Sequence, residues 1–95
     1  YVGDVSDGVL RLIEHTANGI FHICGDECMT IAEIAYQVAD YMKLDRSLIH
    51  PTTTEEMNES TPRPRFSGMS IDKARTMLGY RPQKLKEILV NWDKL

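Results

Sequence analysis

The stretch "GIFHICGDECMTIAEIAYQVADYM", Gly19 to Met42, sets the reading of the fold. Its first seven residues are β-rich and bounded by glycines, the pattern of a short strand. Thr30-Ile31-Ala32-Glu33 then reads as a capping box, in which threonine and glutamate each satisfy an otherwise unpaired backbone N–H. Behind it Ile31, Ile34, Ala35, Val38 and Met42 form an apolar stripe through about three helical turns. "SLIHP", Ser47 to Pro51, reads as a second short strand, ended by a residue that cannot donate to a ladder. Strand, long helical crossover and strand imply two parallel neighbours joined right-handedly. Two such strands cannot cover themselves, so more structure is expected against them.

Outward from this unit, Val5, Val9, Leu12 and Ile13 recur at helical spacing, with Asp4 placed to cap the first turn and Asn18-Gly19 as the stop. Toward the carboxy end, "TTTEEMNESTPRPR" is a polar, proline-punctuated loop with one helical turn around Glu55-Glu56. Ser70 can cap a helix carrying Ile71, Ala74 and Leu78 on one side and Gly79 as its stop. Leu85, Ile88, Leu89 and Trp92 mark a last helix. The order is α-β-α-β-loop-α-α, and the expected class is α/β: a small mixed lobe of short parallel strands and packed helices.

The 95 residues allow one domain with a modest core, burying about 60–70% of the unfolded surface. A net charge of −3 argues against a nucleic-acid binder, and no apolar run is long enough to cross a bilayer. The chain opens without methionine on residues that already look helical, which reads as a fragment of something larger. No signal peptide is recognised, and Cys24 and Cys28 read as reduced thiols of a cytoplasmic protein. His15, His22 and His50 lack ligand spacing, so no metal is expected; His22 and Cys24 read as a buried strand pair.

Arg63 and Arg65 raise the chemical question. Pro62 and Pro64 restrict the segment to extended conformations, in which residues two apart point to one side. Two guanidiniums on a pre-ordered loop suit a diphosphate, since each offers a planar fork of donors and keeps its charge. The simpler alternative is that they bond neighbouring carboxylates or sit in water, and residue chemistry by itself favours it. Asp72 suits a helix amino end and His15 a helix carboxy end, and Lys73 reads as a surface or loop-bracing group rather than a catalyst. Glu55, Glu56 and Glu59 read as a solvated acidic edge. No Ser/His/Asp or Cys/His motif and no G-x-G-x-x-G after a strand is present, and no catalytic or cofactor-binding residue is assigned.

"YVGDVSDGVLRLIEH", "GIFHICGDECMTIAEIAYQVADYM" and "RPRFSGMSIDKARTMLGYRP" together resemble the carboxy-terminal part of extended short-chain dehydrogenase/reductases, nearly end to end. The nearest group is the dTDP-4-dehydrorhamnose reductase-like enzymes of the NAD-dependent epimerase/dehydratase superfamily. Val2-Gly3-Asp4-Val5 matches a V-x-D-V element, Gly19 to Gly25 a G-I-(Y/F)-H-(aliphatic)-(small)-G strand. Arg63-Pro64-x-x-Ser67, the M-S-I-D-K helix start and Leu78-Gly79-Tyr80-x-Pro82 match the closing signature.

The resemblance implies that residues 1–95 are the substrate-binding lobe of a nucleotide-sugar reductase or epimerase, of the kind that serves dTDP-rhamnose biosynthesis. It implies a Rossmann lobe, absent here, that binds NAD(P) and carries the catalytic Tyr-x-x-x-Lys, so the fragment alone is expected to be inactive. The expected partners are a nucleotide-diphosphate sugar, that missing lobe and a second copy in a homodimer. Under the resemblance Arg63 is the leading substrate contact and Arg65 the second. Phe66 packs on a base or, preferably, under the loop, and Tyr1 stands near the substrate cleft. Two alternatives stay open: a non-catalytic homologue of the methionine adenosyltransferase regulatory-subunit type, and a free-standing helical binding module.

Overall fold

The computed structural model describes residues 1–92. Four α-helices follow in order: α1 (Val2–Glu14), α2 (Ile31–Met42), α3 (Asp72–Leu78) and α4 (Leu85–Val90), with a 3₁₀ turn at Arg46–Leu48 between α2 and α3. The chain divides into two compact units, Tyr1–Cys28 with Gly68–Leu95, and Met29–Ser67.

The first unit is built around Tyr80. Ile71, Ala74, Leu78 and Tyr80 are buried, and Leu12, Ala17, Phe21, Ile23 and Cys24 pack against them. The expected α3 stripe is therefore the core, and Gly79 ends the helix in the left-handed region at φ 65° as its sequence suggested. Gly8, in the middle of α1, lets that helix approach: a Cβ there would stand 2.6 Å from Ile23 Cγ2 and 3.4 Å from Tyr80 Cε2. The Tyr80 hydroxyl donates to the Cys24 carbonyl at 3.0 Å, so the ring ties segment 21–24 to α3. Burial first, then the charge of Asp4, pushes this phenol above its ordinary range.

Two polar contacts position α1. Arg11 donates from Nε to Asp7 at 2.8 Å and from Nη1 to the Leu78 carbonyl at 3.0 Å, satisfying the end of α3. Asp4 does not cap its own helix. Its carboxylate is buried and accepts from the Gln83 backbone N–H at 3.0 Å and the Gln83 side-chain amide at 3.1 Å. Tyr1 takes the N-cap place instead, without a side-chain cap. The helix also stops at Glu14, ahead of Asn18-Gly19, because Thr16 turns left-handed at φ 48° and the Ala17 N–H returns to the Leu12 carbonyl. His15 sits at that end as expected, its Nδ1 donating to the Arg11 carbonyl at 2.8 Å.

No β-ladder forms among the described residues. Segment 19–25 is nevertheless non-helical, with Phe21 and Ile23 half-buried and Ile20 and His22 exposed, the alternation of a strand facing a core on one side. His22 is thus exposed rather than buried beside Cys24, whose residue is half-buried.

The second unit holds α2, opened by the expected capping box: Thr30 N–H donates to Glu33 Oε2 at 2.6 Å and Glu33 N–H to Thr30 Oγ1 at 3.1 Å. Lys43 closes the helix left-handed at φ 56°, and the Leu44 N–H reaches back to the Ala39 carbonyl at 2.8 Å. Ala39 is buried here, whereas Ile31, Ile34 and Met42 of the expected stripe are exposed. Residues 50–67 offer them no second layer, being exposed themselves. The first part of the predicted "SLIHP" strand is the 3₁₀ turn, because Asp45 Oδ1 accepts from both the Ser47 N–H and hydroxyl.

Two outcomes test this packing. Gly8→Ala gains about 1 kcal/mol of helix propensity yet forces Ile23 aside, a cost of about 1–3 kcal/mol, so a net fall in Tm is expected in thermal unfolding. Exposed Val2, Val5, Val9 and Ile13 on one side of α1 should bind a hydrophobic dye or drive self-association; a strictly monomeric, dye-silent chain would contradict this.

Candidate functional site

The residues expected to meet substrate fall in both units. Tyr1 belongs to the first. Its ring folds over the start of α1, where a Cβ on Gly3 would come within 2.5 Å of the ring carbon Cε1. Its carbonyl accepts from the Asp4 and Val5 N–H groups at 3.1 and 3.2 Å. The ring is partly exposed.

Arg63, Arg65 and Phe66 belong to the second unit, on a segment exposed throughout. Upstream of them one turn is well made. Thr52 Oγ1 donates to Glu56 Oε2 at 2.7 Å, the Glu56 N–H donates to Thr53 Oγ1 at 3.2 Å, and the Met57 N–H reaches the Thr53 carbonyl at 3.1 Å. This is the helical turn expected around Glu55-Glu56. Asn58 leaves it left-handed at φ 52°. Glu59 then pairs with Arg63, Nε to Oε2 3.4 Å, so the acidic edge is not merely solvated.

The Arg63 side chain remains 66% exposed in that pair, which decides its worth: an exposed ion pair contributes about 0–1 kcal/mol. An incoming anion of higher charge can displace Glu59 at little cost. The simpler sequence alternative, a bond to a neighbouring carboxylate, is thus what Arg63 makes here. Arg65 has no ion pair among the described residues. Phe66 is 72% exposed, so the preferred packing under the loop is not observed; its ring is free to stack.

The first unit carries a charged latch that sequence reasoning missed. Asp26 accepts from Arg75 Nη2 at 3.0 Å and from Lys84 Nζ at 2.7 Å, and Glu27 Oε1 accepts from the Leu85 N–H at 2.6 Å. Neighbouring Lys73 donates to the Ile20 carbonyl at 2.9 Å and lies 4.3 Å from the centre of the Phe21 ring, the loop-bracing role its position suggested. Asp72 faces Arg75 at 3.5 Å. These groups fasten segment 20–27 to α3 and to the start of α4, where Glu87 also accepts from the Lys84 N–H at 2.8 Å. The partners are separated by 49 to 58 residues, so no local spacing signals them.

Among the described residues no cluster of His, Cys, Asp and Glu is arranged to hold a metal, and both cysteines are free. No helix among them is long and apolar enough to cross a membrane.

Residues 1–92 match the family described as RmlD substrate binding domain. The chain belongs to that family. It is 36% identical over 89 residues to UDP-glucuronic acid decarboxylase 3 of Arabidopsis thaliana, covering 92% of this chain and 24% of that protein. It is 30% identical over 89 residues to the spore coat polysaccharide biosynthesis protein SpsK of Bacillus subtilis (strain 168), covering 94% of this chain and 30% of that protein. The chain therefore spans 24% to 30% of the length of these relatives. No solved structure matches it. The RmlD match includes Tyr1, Arg63, Arg65 and Phe66 together with the latch residues Asp26, Arg75 and Lys84.

The latch makes stability depend on acid. The Lys84 hydrogen bond, with the nearby charges of Lys84 and Arg75, holds the Asp26 carboxyl below its ordinary value of 3.8. A carboxyl depressed on folding stabilises the fold above its unfolded pKa, and that stability is lost as pH falls through the folded value. Chemical unfolding followed by circular dichroism should show stability dropping from about pH 4 downward, with a smaller drop in Lys84→Met. Equal pH profiles for the two proteins would exclude the latch as the cause.

Proposed function

We propose that this chain is the lobe that holds a nucleoside-diphosphate sugar in an NAD(P)-dependent sugar-nucleotide reductase or epimerase of dTDP-4-dehydrorhamnose reductase type. The observation that carries the reading is the RmlD substrate-binding match across residues 1–92, which contains the proline-framed arginine segment. Arg63 exchanges the Glu59 carboxylate for a phosphate oxygen of the substrate. Arg65, with no ion pair of its own among the described residues, supplies a second charge, and the exposed Phe66 ring offers a face for a base. Tyr1 is assigned to the cleft by position alone.

In this reading the chain performs no redox step. A Rossmann lobe of the parent binds NAD(P) and supplies the acid–base pair, while this lobe restrains the non-reacting tail, contributing to rate through orientation. Segment 19–25, with its alternating burial, serves as a strand of an α/β lobe. A cytoplasmic parent acting as a homodimer completes the proposal.

A second reading has its own support. UDP-glucuronic acid decarboxylases 3 and 5 of Arabidopsis thaliana are both 36% identical to this chain, above the 30% of SpsK. A parent decarboxylating a UDP-linked sugar acid would use the same diphosphate grip, with a different base and sugar.

Calorimetry of the chain with dTDP-glucose and UDP-glucuronate tests both. Weak binding is expected, and Arg63→Ala should weaken it about tenfold, the loss of one charge-assisted hydrogen bond. Preference for the uridine ligand would select the second reading. Equal affinity of wild type and Arg63→Ala would remove Arg63 from the site, and absence of binding to either ligand would overturn the substrate-lobe assignment.

A further inference from the structure

Asn18-Gly19 is the one Asn-Gly pair in the chain, Asn58 being followed by glutamate and Asn91 by tryptophan. Both residues are exposed and lie outside helix. Neither the Asn18 side-chain amide nor the Gly19 N–H makes a hydrogen bond to a described residue, whereas the chain is pinned on either side. The Ala17 N–H donates to the Leu12 carbonyl at 3.1 Å, and Lys73 Nζ donates to the Ile20 carbonyl at 2.9 Å. Gly19 stands at φ 96°, and the Lys73 ammonium lies 3.3 Å from where a Cβ on Gly19 would be. The Gly19 N–H is thus without a hydrogen-bond partner among the described residues, and a positive charge stands close to the same residue.

We propose that Asn18 is a self-modification site, converted through a succinimide to aspartate and isoaspartate with Lys73 assisting. The Gly19 backbone nitrogen loses its proton and attacks Asn18 Cγ. The new N–C bond closes the ring, the Cγ–Nδ2 bond breaks, and the amide leaves as ammonia carrying the equivalent of that proton. Water then adds across either ring carbonyl–nitrogen bond, giving aspartate from one opening and isoaspartate from the other. No oxidant or reductant enters. The ammonium favours the step because the attacking amide becomes anionic and the tetrahedral carbon carries an oxyanion, both stabilised by a nearby cation in a fixed position. The product leaves a carboxylate next to Lys73. In the isoaspartyl form it also lengthens the backbone between the two pinned points, which shifts Ile20 against the lysine that holds it.

The test incubates the full chain, folded, at mildly alkaline pH and physiological temperature. Proteolytic peptide mapping by mass spectrometry then follows the amide-to-acid conversion at each asparagine, and enzymatic isoaspartate methylation counts the isomer. Conversion at Asn18 well ahead of Asn58 and Asn91 is expected, slower in Lys73→Met, with the two proteins converging once urea unfolds them. An Asn18 that stays intact in the folded chain but converts in urea overturns the proposal, because the fold would then protect the pair. Equal folded-state rates in wild type and Lys73→Met overturn the role of the lysine. Circular dichroism checks that the variant folds; if it does not, the folded-against-urea comparison on wild type alone still decides whether the site reacts.

Discussion

Burial of Tyr80 is the constraint on which the first unit depends. A phenol this deep must find a partner for its hydroxyl, since an unpaired buried donor costs about 1–3 kcal/mol. It finds the Cys24 carbonyl, a backbone group in the segment after α1. Ile23, packed against the same cluster, meanwhile requires a glycine at position 8, where a Cβ would stand 2.6 Å from its Cγ2. One residue next to a helix stop thus sets how α1, segment 21–24 and α3 meet. The Asp4 carboxylate on Gln83 and the Arg11 guanidinium on Leu78 then fix the ends of the same arrangement.

Around that core the unit is held by charges that lie at its edge. Asp26 is shared by Arg75 and Lys84, and Lys73 is shared by a carbonyl and an aromatic face. Exposed pairs of this kind contribute little singly. Their combined effect is to direct segment 20–27 rather than to supply most of the stability, which comes from apolar burial. The same lysine that directs the segment also puts a cation close to Gly19 of the Asn18-Gly19 pair.

The second unit is organised differently. Its helix is well capped at both ends, yet much of its apolar stripe faces outward, and its long polar loop is held by hydrogen bonds among threonine and glutamate neighbours. A loop whose arginines are exposed and only weakly paired is suited to exchange partners. That property, more than any fixed pocket, is what supports the proposed binding of an anionic substrate by the proline-framed segment.

Local rules on the sequence determined the α2 capping box, the turn at Glu55-Glu56, the α3 stripe of Ile71, Ala74 and Leu78, and the stop at Gly79. Each depends on residues within a few positions of one another, where backbone hydrogen bonding and side-chain reach are set by the chain itself. The order of the RPRF segment and its neighbours also marked the family. What only the tertiary structure decided was the work of residues whose partners lie far along the chain. Asp4 serves Gln83 rather than its own helix, Asp26 gathers Arg75 and Lys84, and Gly8 yields space to Ile23 and Tyr80. A carboxylate can satisfy a local cap or a distant donor with equal chemistry, and burial chooses between them. That choice is made by packing, which no spacing in the sequence records.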